Sequence, residues 1–121
     1  MKKVELICIG GQKFKELKPL EQSYQKKINF FIQFTITNLK EIKLKNESLI
    51  KVKESAAILD KLNAKDFVII LDEKGKQMDS KQFSNFFEDK ISYHSGKIIF
   101  IIGGFNGMSD ELLNRGNAKL S

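Results

Sequence analysis

Apolar residues in this chain gather in short blocks of two kinds, and the polar residues between them set the boundaries. Ile98-Ile99-Phe100-Ile101-Ile102 and Phe67-Val68-Ile69-Ile70-Leu71 are unbroken apolar runs flanked by charge or glycine. Runs of that length bounded by such residues predict strands buried on both faces, the habit of parallel sheets covered by helices. Lys3 to Ile9 predicts a further strand, leaving through Gly10-Gly11. Phe30 to Asn38 alternates instead, with Phe30, Ile32, Phe34 and Ile36 on one side and Gln33, Thr35 and Thr37 on the other. That pattern predicts a strand with one wetter face, toward an edge of the sheet.

Helical spacing fills the gaps. Pro19 suits a first turn, and Leu20, Tyr24 and Ile28 follow at intervals of four. From Ser48 to Leu62 a helix is expected with Val52, Ala56, Leu59 and Leu62 facing inward. Asp79 and Gln82 form a capping-box pattern ahead of an inner stripe of Phe83, Phe86, Phe87 and Ile91. Ser109-Asp110-Glu111 reads as the start of a short helix ending near Gly116, and Asn117 to Ser121 as something extended. Lys40 to Asn46 and Ser92 to Gly96 read as loops, and Lys74-Gly75-Lys76 as a turn. The order is strand and helix in alternation, which predicts one α/β domain with a mostly parallel sheet and helices on both faces.

Composition narrows this picture only in part. The chain has 121 residues, 41% of them apolar and 30% charged, enough for one core and unlike a disordered chain. No apolar run approaches the roughly 20 residues of a membrane helix, and the basic start before Val4 to Ile9 reads as a first strand, not a leader. Cys8 is the single cysteine, so neither a disulfide framework nor a thiolate metal cluster is expected, and a cytoplasmic setting is the default. Lys plus Arg number 21 against 15 Asp plus Glu, a net charge of +6 carried almost wholly by lysine, with Lys40, Lys43 and Lys45 concentrated in one loop. Such an excess suits a polyanion, although lysines that merely solvate a surface give the same count.

The candidate chemistry centres on Ile102-Gly103-Gly104-Phe105-Asn106-Gly107. A buried strand stops at paired glycines that permit positive φ, or the close approach of a ligand to backbone N–H groups. The spacing is neither a dinucleotide fingerprint nor a P-loop, and a tight structural turn is the competing reading. In open α/β sheets ligands bind at the carboxyl ends of strands, so any site is expected here. Leu71-Asp72-Glu73 closes a strand at the same edge; Asp72 there is either a ligand contact or a solvated carboxylate. His94 reads as a surface residue and Cys8 as an inert core thiol. No Ser-His-Asp set, paired carboxylates or metal-ligand cluster is visible, and no catalytic residue is assigned.

The glycine motif, following Leu71-Asp72-x-x-Gly75-Lys76, resembles the bacterial ribosomal RNA large subunit methyltransferase H family, enzymes of the SPOUT (trefoil-knot) class. Other stretches match in order. Val4 to Gly10 looks like the family's opening strand and Tyr24-Gln25-Lys26-Lys27 like the end of its first helix. Lys53-Glu54-Ser55 followed by Ile58-Leu59 is similar to its K-E-G-x-x-I-L helix. Ser80 to Phe86 falls where it has S-x-x-F/L-A, and Asn117 to Ser121 resembles the segment before its cofactor loop. The resemblance implies S-adenosylmethionine as cofactor, Leu71 and Gly103 as contacts to it, and Gly104 and Gly107 completing the motif. It further implies methylation of a pseudouridine at N(3) in 23S rRNA, with the ribosome as partner, a homodimer and no membrane. Phe105 departs from the proline frequent at its position. The family also continues into a cofactor loop and a threaded C-terminal helix that close the knot and build much of the dimer, whereas this chain stops at Ser121. Resemblance therefore leads us to expect a SPOUT-like domain incomplete at its C-terminus, with dimerisation in doubt and an apolar patch exposed. The alternative is a catalytically inactive relative that binds RNA or the ribosome.

Overall fold

The computed structural model describes residues 2–10, 32–94 and 96–121. The helix expected from Pro19 and the first residues of the alternating strand lie outside them. In chain order the elements are β1 (Lys2–Ile9), β2 (Ile32–Leu39), α1 (Glu47–Leu59), β3 (Phe67–Lys76), α2 (Ser80–Tyr93), β4 (Ile98–Ile102), α3 (Asp110–Arg115) and β5 (Ala118–Leu120). The strands form one sheet in the order β2-β1-β4-β3-β5, and every pairing is parallel. The α/β fold with a parallel sheet is thus as the sequence predicts.

The continuous apolar runs occupy the middle of the sheet because only there are both faces covered. Ile99 and Ile101 of β4 join Val68 and Ile70 of β3 and Ile7 and Ile9 of β1 on one face, beneath Ile58 of α1 and Leu112 of α3. Ile98 and Phe100 join Ile69, Val4 and Leu120 on the other, beneath Phe86, Phe87 and Ile91 of α2. Alternation of side chains along each strand sends neighbours to opposite cores. β2 takes the edge, as its alternation predicts, with Gln33 and Thr35 exposed and Phe34 and Ile36 half-buried.

Helix ends follow local chemistry. The Asp79 carboxylate accepts from the Gln82 N–H at 2.7 Å and the Gln82 side chain accepts from the Asp79 N–H at 3.0 Å, completing the capping box. Asn46 caps α1 through the Leu49 N–H, and Ser109 caps α3 through the Leu112 N–H.

Two expectations are corrected. Val52 and Ala56 do not face inward: Val52 is 52% exposed, and α1 instead buries Ile50, Glu54, Ser55 and Ile58. The true inner stripe contains two polar residues, so an apolar-spacing rule selects the wrong face; Leu59 and Leu62 do pack on the core. Nor do residues 74–76 end the strand with a turn. Both Leu71 and Lys76 pair with Leu120, so β3 bulges between them and resumes. Gly75 makes this possible, since a Cβ there would lie 2.7 Å from the backbone N and C of Leu120.

Candidate functional site

β3 is followed by α2 on one face and β4 by α3 on the other, so the two neighbouring strands send their chains apart. Open α/β sheets bind ligands at the carboxyl ends of strands whose chains diverge in this way. Leu71 pairs with Ile102 and with Leu120, which brings Leu71, the Ile102-Gly103 step and Leu120-Ser121 side by side on three adjacent strands. β4 and β5 end there, whereas β3 does not close at Leu71-Asp72-Glu73 as expected but runs on to Lys76, because β5 pairs with it beyond the bulge. A cavity of about 260 Å³ lies against this row, walled by Leu71, Met78, Phe83 and Leu120, with Asp79, Ser80 and Ser121 as its polar margin.

The glycines face the opposite way. The Gly107 N–H donates to the Gly104 carbonyl at 3.1 Å, closing a four-residue turn, and Gly107 has φ +86°. Positive φ is the reason for glycine at that position. Gly103 abuts Met108, since an added Cβ would lie 2.6 Å from its Cγ. Gly104 abuts α1: a Cβ there would lie 2.5 Å from Glu54 Oε1 and 3.2 Å from Ile9 Cγ2. Phe105 projects from the tip of the turn and is 85% exposed. The structure therefore brings Leu71 beside the Ile102-Gly103 step, but of the four predicted contacts only Leu71 lines the cavity: Gly103 abuts Met108, and Gly104 and Gly107 shape a turn on the α1 side.

α1 holds this turn in place. The Ser55 Oγ accepts from the Ser109 N–H at 2.8 Å, and the next residue back, Glu54, accepts from the Ile42 N–H through Oε2 at 3.0 Å. Glu54 is 2% exposed and Ser55 is 1% exposed. Sequence reasoning missed both as site residues because they sit among helix-forming polar residues; the available signal was their place in the K-E-x motif.

His94 and Cys8 make contacts within the fold. His94 is half-buried, not a free surface residue: its Nε2 donates to the Lys65 carbonyl at 3.0 Å, and its ring meets the Phe67 ring edge-on at 5.4 Å between centroids. Cys8 is buried, with Sγ 2.7 Å from Asn38 Oδ1. Asp72 is half-buried at the end of the Leu71 row. Among the described residues no group of three or more His, Cys, Asp and Glu is placed to hold a metal ion, and no helix is long and apolar enough to cross a membrane.

Comparison with known proteins agrees with this architecture. A family model described as "Predicted SPOUT methyltransferase" matches residues 2–121. The chain is 36% identical over 121 residues to the ribosomal RNA large subunit methyltransferase H of Christiangramia forsetii, covering 98% of this chain and 77% of that protein. The protein of the same name from Flavobacterium johnsoniae is 36% identical with the same coverage. That from Clostridium acetobutylicum is 37% identical over 123 residues, 97% of this chain and 77% of the relative. With an all-parallel α/β sheet and a match from residue 2 to residue 121, this chain belongs to the SPOUT methyltransferase family.

Proposed function

We propose that this chain transfers a methyl group from S-adenosylmethionine to ring nitrogen N(3) of a pseudouridine in 23S rRNA of the large ribosomal subunit. The observation that carries the reading is a cavity lined by Leu71, Leu120 and Ser121, with Leu71 paired to Ile102, the residue just before Gly103. Its volume, about 260 Å³, sits just under the roughly 300–1,000 Å³ of small-molecule pockets and suits one end of a nucleoside–amino acid donor. The residues fit that group chemically: the Leu71, Met78 and Leu120 side chains offer an apolar wall for a flat base, and the strand ends offer backbone donors and acceptors. S-adenosylmethionine, when bound, supplies an activated methyl group. The chain's own part is to hold it and to exclude water, with Leu71 as wall, Gly103 as the point of close backbone approach, and Gly104 and Gly107 setting the turn beside it. Chemistry of this kind asks the protein mainly for positioning, which accords with the lack of a nucleophile and base pair in the sequence.

RNA is held on this reading by the lysine excess. Lys40, Lys43 and Lys45 are exposed on the loop that α1 ties to the glycine turn, and would neutralise phosphates there. A cytoplasmic setting, the default that the single cysteine suggests, belongs to the same proposal. Titration calorimetry with S-adenosylmethionine, followed by transfer of labelled methyl to 23S rRNA, tests it. Donor binding at micromolar levels with labelled rRNA is expected; a folded chain that binds rRNA yet neither binds nor transfers from the donor would overturn it.

A further inference from the structure

The Glu54 carboxylate is the most unusual group in the described chain. The residue is only 2% exposed, and its Oε1 has no hydrogen-bond partner among the described residues. Burying a carboxylate oxygen without a partner costs free energy that an apolar residue in the same stripe, between Ile50 and Ile58, would not incur. Such local rule-breaking concentrates where function asks for it.

Its surroundings show what it touches. Oε2 holds the Ile42 N–H, the middle of the loop that carries Lys40, Lys43 and Lys45. Oε1 fills the space into which a side chain on Gly104 would project, 2.5 Å from the Cβ position. The neighbouring Ser55 pins Ser109 just beyond the turn, so this edge of α1 grips the far end of the glycine segment as well. One rigid carboxylate thus touches two segments, the lysine loop and the glycine turn, that are separated along the chain and lie at the carboxyl ends of different strands. We propose that Glu54 is a positioning residue that couples the lysine loop to the glycine turn, so that a shift in either is felt by the other. Resting on the function proposed above, this coupling would tie an RNA held by the loop to the end of β4, where Gly103 is proposed to approach the methyl donor. The coupling itself is a property of the chain, and it can be tested without either ligand.

Amide hydrogen exchange of Ile42 is the readout. Gly104→Ala places a methyl against Oε1 and displaces the carboxylate, so exchange at Ile42 is expected to quicken roughly tenfold, about the opening free energy of one hydrogen bond. Gly103→Ala is the comparison, because the atoms nearest its methyl belong to the Met108 side chain and not to Glu54, so Ile42 exchange is expected to stay unchanged. Glu54→Ala is expected to quicken both Ile42 and Gly107, whereas Glu54→Gln, which keeps an acceptor oxygen, retains Ile42 protection. In each variant the core amides of Ile99 and Ile101 stay slow, which separates the effect from general loss of stability. Unchanged Ile42 exchange in Gly104→Ala with the core intact would overturn the proposal. So would a Glu54→Ala chain in which Ile42 quickens and Gly107 does not. A last arm adds S-adenosylmethionine, expected to slow Ile42 exchange in the wild-type chain and not in Glu54→Ala. If the donor fails to bind at all, the functional reading fails while the Gly104→Ala result still decides the coupling.

Discussion

At Gly75 the chain leaves no room for a side chain, because the backbone of Leu120 occupies the Cβ position at 2.7 Å. Gly75→Ala is expected to push β5 away from the bulge in β3 and to cost about 1–3 kcal/mol, as overpacking against backbone does. Urea unfolding checks this, and loss of S-adenosylmethionine affinity should accompany it, since Leu120 walls the cavity. Phe105 poses the opposite case. With 85% of its surface in solvent, its removal should leave stability within about 0.5 kcal/mol. A large aromatic at the tip of the turn suits stacking on an unpaired base, so Phe105→Ala is expected to weaken RNA binding by about 1–3 kcal/mol. Parallel thermal melts and RNA titrations would separate the two effects. His94 shows why a residue type alone misleads at this scale: a lone histidine in a polar loop gives no hint that the Lys65 carbonyl and the Phe67 ring fold back onto it.

Elements were legible where their cause is local. The Asp79–Gln82 box starts α2 with chemistry contained in four consecutive residues, and Asp79→Ala is expected to cost about 1 kcal/mol, read as a lowered denaturation midpoint with unchanged slope. β4 was legible because five apolar residues in a row have no amphipathic alternative. Its centre should be sensitive: Ile101→Ala removes a fully buried side chain and is expected to cost about 2–5 kcal/mol by the same measurement. α1 was legible as a helix but not in its orientation. Its inner face holds Glu54 and Ser55, whose burial depends on partners in distant segments, the Ile42 and Ser109 amides. A periodicity rule that scores them as polar turns the helix outward and buries Val52, which is exposed. The bulge of β3 was hidden for a related reason, since Lys-Gly-Lys reads as a turn until β5 is there to pair with both Leu71 and Lys76.

For the whole molecule, the net charge of +6 bears on association, not on fold. Replacing Lys40, Lys43 and Lys45 with glutamine is expected to weaken rRNA binding and to flatten its dependence on salt, by roughly 0.7–0.9 in the logarithmic slope for each phosphate no longer neutralised. Filter binding across a salt series measures it, and an unchanged slope would place the RNA elsewhere. The sequence by itself determined the α/β class, the central strands and the capped start of α2, because each follows from burial on two faces or from hydrogen bonds between near neighbours. It also held the ordered motifs that mark the family. Tertiary structure alone decided which strands lie side by side, and so that Leu71, Gly103 and Leu120 meet at one edge while Gly104 turns to Glu54. Those contacts join segments far apart in the chain, and no spacing along a sequence encodes the distance between two strand ends until the sheet has been assembled.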